Sequence, residues 1–113
     1  MGLGMQIVYL GFAGTAAIEA EAGVQLLRLE RFSGLLKACH LAIESVRKAD
    51  HADVYDVRLD LLSAASELKP IVHCTGADPI AAMREAFDAA EYELRRAVRS
   101  AGAAQDGRMR RDH

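Results

Sequence analysis

Residues 78–99 read DPIAAMREAFDAAEYELRRAVR, and this stretch carries a start signal, a continuous apolar stripe and a basic end. The Asp78 side chain can accept from the free backbone N–H groups of a first turn. Pro79 suits the first helical position, where no N–H partner is needed. Ile80, Met83, Phe87, Ala90, Leu94 and Val98 recur at three- and four-residue steps, so at 3.6 residues per turn they share one side of a helix. Arg95, Arg96 and Arg99 fall elsewhere on that cylinder. An acidic start and a basic end both suit the helix dipole, which gives these arginines a structural explanation alongside an anion-binding one.

Upstream, the same reasoning finds one more helix and a run of strands. Met5 to Leu10 (MQIVYL) is rich in β-formers and closed by Gly11 and Gly14, so it reads as a buried strand. Thr15 opens a helix whose Ile18, Ala22, Leu26 and Leu29 step by four, four and three. Glu19 and Glu21 load its first turns, Arg28 and Arg31 its last, and the stretch from Phe32 to Gly34 ends it. Leu36 to Glu44 alternates through Cys39, Leu41 and Ile43, the period of a half-buried strand. Val54 to Leu62 alternates more cleanly, with Tyr55, Val57, Leu59 and Leu61 on one face and Asp56, Arg58 and Asp60 on the other, wet face. Arg47 to Asp53 reads as the hairpin loop between them. Leu68 to Cys74 is expected as one further strand, at a sheet edge because Pro70 cannot donate to a ladder. The tail SAGAAQDGRMRRDH, residues 100–113, has no apolar period and reads as disordered.

The resulting order is strand, helix, three strands, helix. A single α+β domain over residues 5–99 follows: one four-stranded sheet, wet on one face and covered on the other by both helices. The chain has 113 residues, 51% hydrophobic and 27% charged, enough for one core. Its net charge of −2 supplies no general field toward DNA, RNA or anionic lipid, so any anion site must be a local patch. Two cysteines inside apolar runs point to a reducing, cytoplasmic setting. The apolar N-terminus lacks the basic lead-in of a signal peptide, and no stretch approaches membrane-spanning length.

Cys39-His40 and His73-Cys74 together supply the residue types of a structural zinc site. Alternation sends the two thiols to one face and the two imidazoles to the other, and an intervening strand separates the pairs by roughly 9.5 Å. That spacing is too long for a shared metal or a disulfide. The serines have no histidine and carboxylate in a triad arrangement, and no Gly-rich loop precedes a lysine. No catalytic residue, metal or cofactor is therefore assigned. The remaining candidate is a ridge of arginines, Arg28 and Arg31 from the first helix and Arg95, Arg96 and Arg99 from the second, which could position an RNA backbone by charge.

The sequence resembles the short ribosome hibernation-promoting factors, the family also known as ribosome-associated inhibitor or protein Y. The resemblance covers roughly Met5 to Val98. Leu29-Glu30-Arg31-Phe32 is similar to the family's K-L-E-R-[YH]-F helix end. DPIAAMREAFDAAEYELRRAV is similar to D-[ML]-Y-x-A-I-D-x-A-x-x-K-L-E-R-Q-L-R-K. It implies a β-α-β-β-β-α fold like that of double-stranded-RNA-binding domains. It also implies binding to the small ribosomal subunit in the mRNA and tRNA channel, without catalysis, through basic side chains on rRNA phosphates. Arg28 and Arg31 match basic positions of the first helix, and Arg95 and Arg96 the Arg-Lys pair ending the second. The sequence departs from the pattern at Val24 and Gln25, where the family has a basic pair, and at Ala89 and Tyr92, where it has Lys and Arg. Each lost cation weakens phosphate binding. The second domain that pairs ribosomes in long-form members is missing from the sequence, so pairing by that route is not expected. The alternative is a protein-interaction module of the same fold that has lost the RNA site.

Overall fold

A computed structural model describes residues 3–47, 53–70 and 73–111. Strand β1 (Gly4–Leu10) is followed by helix α1 (Ala16–Leu29), a 3-10 turn (Glu30–Phe32), strands β2 (Leu36–Arg47), β3 (Asp53–Ser63), β4 (Leu68–Pro70) and β5 (Cys74–Gly76), and helix α2 (Pro79–Arg111). β1 pairs parallel to β2, β2 pairs antiparallel to β3, and β4 and β5 both pair antiparallel to β3. The parallel β1/β2 pair requires a crossover, and α1 supplies it.

Both helix starts follow the sequence. Thr15 Oγ1 accepts from Ile18 N–H at 3.1 Å, and Asp78 Oδ1 accepts from Ile80 N–H at 3.0 Å, each satisfying a donor that a helix cannot pair internally. Gly14 is required in the turn before α1, because it holds φ +78 and an added Cβ would lie 2.6 Å from the Tyr9 ring.

The core lies between the sheet and the two helices. Cys39, Leu41 and Ile43 of β2 and Val57, Leu59 and Leu61 of β3 are buried against Ile18, Ala22 and Leu29 of α1 and Met83, Phe87, Ala90 and Leu94 of α2. On the opposite, wet face Arg58 Nε donates to His73 Nε2 at 3.3 Å, and His73 Nδ1 lies 3.4 Å from Asp56.

Several expectations change. β1 is not a buried strand; it is the sheet edge, with Met5, Ile7 and Tyr9 partly buried and Val8 and Leu10 exposed. A run of β-formers signals strand, but only topology decides whether both faces are covered. The strand expected at Leu68 to Cys74 is split into β4 and β5. The register explains the split: Arg58 and Leu59 lie between Val57 and Asp60, whereas three residues, 71–73, lie between Pro70 and Cys74. Pro70 is at the edge, as its missing donor requires. Arg47 and Asp53, placed in a hairpin loop from sequence, are partners at the ends of β2 and β3, and residues 48–52 lie outside the described ones.

α2 continues past Arg99 to Arg111. Absence of an apolar stripe removes a packing partner, not helix propensity. Ala101, Ala103, Ala104 and Gln105 are good helix formers, and arginines near the last turn suit the dipole. Residues 112 and 113 lie outside the described ones.

Candidate nucleic-acid interface

The two helices run parallel. Arg84 near the start of α2 meets Glu21 near the start of α1, with Nε and Nη2 donating at 3.1 Å each. One and a half to two turns further along both helices, Arg28 of α1 meets Glu91 of α2 through Nε at 3.1 Å and also through Nη2. Equal steps along the two chains mean that the helices run side by side in the same direction, so α1 ends beside the middle of the longer α2. The negative dipole end of α1 lies there, a setting that stabilises the cations of its last turn.

Between these contacts runs a continuous polar seam. Gln25, only 6% exposed, donates through Nε2 to Glu21 at 2.7 Å and accepts from Arg28 Nη1 at 2.6 Å. Arg28 also reaches Asp88 at 2.9 Å. Arg95 Nη2 donates to Glu91 at 2.6 Å, and Arg31 comes within 3.8 Å of the same carboxylate. Arg95 and Arg28 hold the Glu91 carboxyl below the usual carboxylate range, in that order of strength, and Arg84 and Gln25 do the same for Glu21. The Arg28 guanidinium is pushed up, chiefly by Glu91.

The five candidate arginines therefore separate into three settings. Arg28 is consumed within the fold: two-thirds buried and bonded to Gln25, Glu91 and Asp88, it ties α1 to α2. Arg31, Arg95 and Arg99 line an open cleft of about 240 Å³ with Phe32 and Val98 where α1 ends beside α2. Arg99 pairs with no carboxylate among the described residues. Arg96 points to the other flank of α2, where it pairs with Glu93 at 3.5 Å and lies beside Lys69 and Ser100. The sequence placed Arg95 and Arg96 together because they are neighbours, but consecutive helical residues diverge by about 100°.

Glu91, Asp88 and Gln25 are the functional neighbours that sequence reasoning missed. Glu91 sits on α2 opposite the last turns of α1, and no local pattern announces a partner 63 residues away. Gln25 is a buried link between Glu21 and Arg28. Val24 is 55% exposed and Leu27 is 69% exposed, so this part of the outer face of α1 is apolar. Val98, expected in the core stripe, is half exposed and floors the arginine cleft.

The thiols are not part of a site. Burial pushes the Cys39 thiol up to about 11, and burial together with Glu85, Asp56 and Asp88 raises Cys74. Cys39 faces Leu61 of β3 and Cys74 faces Val57, a separation of roughly 16 Å from strand spacing and rise. Among the described residues no three His, Cys, Asp or Glu side chains are grouped to hold a metal ion, and no helix is long and apolar enough to cross a membrane.

The backbone geometry matches solved structures. The N-terminal domain of Thermus thermophilus protein Y superposes with a TM-score of 0.65 over 85% of this chain and 98% of that domain, at 21% identity. The chain has the protein Y fold. A ribosomal subunit interface protein from Coxiella burnetii superposes with a TM-score of 0.62 over 83% of this chain and 96% of that one, at 12% identity. No family model and no curated protein matches the sequence. Here the order of elements places both helices on one sheet face, with the end of α1 beside the middle of α2.

Proposed function

We propose that this protein is a ribosome-binding hibernation factor that silences translation by occupying the mRNA and tRNA channel of the small subunit. The observation that carries the reading is the cleft of Arg31, Arg95 and Arg99 where α1 ends beside α2. Three guanidiniums on one open surface form an environment suited to rRNA phosphates. The likeness of fold to protein Y and to a ribosomal subunit interface protein supports the same reading. Arg31, Arg95 and Arg99 are the phosphate contacts, Arg28 orients the helices that carry them, and Arg96 contributes from the opposite flank. The unit that binds is the domain from residue 5 to 99, acting in the cytoplasm by occupancy without a reaction or a cofactor.

Glu91 and Asp88 favour the second reading, a protein-interaction module of this fold, because they neutralise part of the ridge and leave Val24 and Leu27 as an apolar outer face. Charge count favours the first. Arg28, Arg31 and Arg95 share Glu91, Arg28 also meets Asp88, and Arg99 pairs with no carboxylate among the described residues, so the arginines of the cluster outnumber the carboxylates they contact. Co-sedimentation with small ribosomal subunits at two salt concentrations separates the readings. Association at low salt that weakens as salt rises supports the ribosome, whereas no association at low salt sinks it.

A further inference from the structure

Tyr92 is 59% exposed and belongs to none of the contacts that build the core. On α2 it is followed at three, four and seven residues by Arg95, Arg96 and Arg99, spacings that place all four side chains on the outward half of the helix, away from Met83, Phe87 and Ala90. Arg95 and Arg96 fall on either side of it. The Arg96 guanidinium lies 5.9 Å from the Tyr92 ring centroid and is held on its other side by Glu93, so this cation is positioned before any ligand arrives.

A phosphate-only surface has no use for an exposed aromatic ring, and a tyrosine among arginines recognises more than backbone charge. Single-stranded nucleic acid presents both features together: phosphates along the chain and unpaired bases whose faces stack on aromatic side chains. A duplex keeps its bases inside and offers the ring nothing. Building on the ribosome-binding reading, we propose that the outer face of α2 binds an unpaired segment of RNA, with one base stacked on Tyr92 and the adjoining phosphates held by Arg95 and Arg99 on one flank and Arg96 on the other. The ring thereby sets a preference for single-stranded over helical RNA at this surface, and it stands at one of the two α2 positions where a cation is missing.

The test uses a short single-stranded RNA carrying 2-aminopurine and a hairpin RNA of the same composition, titrated with the intact protein. Base stacking quenches 2-aminopurine, and the chain contains three tyrosines and no tryptophan, so intrinsic emission also reports on Tyr92. The wild type is expected to bind the single strand more tightly than the hairpin and to quench the probe. Tyr92→Leu, which keeps apolar bulk and helix propensity, is expected to lose about 5- to 150-fold in single-strand affinity, the range that base stacking supports. Its salt dependence should be unchanged, and Tyr92→Phe should bind as the wild type does. Arg99→Ala is expected instead to flatten the salt dependence by roughly 0.7 in slope. Tyr92→Leu binding and quenching as the wild type does, with Arg99→Ala still weakened, overturns the stacking proposal and leaves the ribosome reading standing. Failure of the wild type to bind either RNA or small subunits at low salt overturns both.

Discussion

The two ends of the helical layer use the same geometry to different effect. Near the helix starts, one arginine meets one carboxylate: Arg84 closes on Glu21. Where α1 ends beside α2, Arg28, Arg31 and Arg95 gather around Glu91, Arg28 also meets Asp88, and Arg99 lines the same cleft without a carboxylate partner among the described residues. Parallel packing makes both clusters, but only the second leaves cations in excess. A balanced pair fixes how α1 and α2 sit, while an unbalanced one fixes them and also presents charge to a partner.

If that contrast is right, the largest effect comes from reversing the surplus. Arg95→Glu with Arg99→Glu should lower small-subunit affinity by about 100-fold at low salt, measured by sedimentation. Thermal stability should also fall, because Arg95→Glu sets a second carboxylate beside Glu91 in place of its strongest partner, whereas Arg99→Glu alone should leave unfolding unchanged, since Arg99 is exposed.

Next comes the carboxylate at the centre. Its side chain is 12% exposed and it accepts from two arginines, so Glu91→Gln should cost about 1–3 kcal/mol of stability in denaturant unfolding. Its pH dependence has a definite sign. The folded carboxyl is depressed, so its contribution is complete above the ordinary glutamate value of about 4.3 and disappears as pH falls through the lower, folded value. The variant should lack that part of the acid loss.

Smaller again is Arg84→Ala at the balanced end, which should loosen the α1 and α2 starts and lower the melting temperature while leaving RNA affinity and its salt dependence unchanged. Loss of binding there would erase the distinction between the two ends. The smallest change is expected for Arg96→Ala, because its guanidinium lies on the far flank and is partly occupied by Glu93; a modest drop in low-salt affinity is its signature.

Much of this architecture was readable from the chain. Asp78-Pro79 and Thr15 mark helix starts that the structure reproduces, and the alternation through Val57, Leu59 and Leu61 names the buried face of β3. These signals are local, so a sequence carries them. What was not readable is nonlocal. Glu91 is unremarkable on its own helix and becomes the hub of the site only because α1 and α2 pack in parallel, a consequence of the β1/β2 crossover. For the same reason Arg28 looked like a free cation and is a tie between helices. Gln25 looked like a lost cation and is a buried link in that tie. The register advance between β4 and β5 depends on pairing with β3, which no single strand encodes.

The central claim is that the arginine-rich end binds rRNA phosphates and the balanced end does not. Its most direct test is the slope of log affinity for small ribosomal subunits against log salt, compared between Arg99→Ala and Arg84→Ala. The account predicts a slope shallower by roughly 0.7–0.9 for Arg99→Ala, one phosphate contact removed, and the wild-type slope for Arg84→Ala. Equal slopes in wild type, Arg99→Ala and Arg84→Ala, or no association of the wild type at low salt, would contradict it.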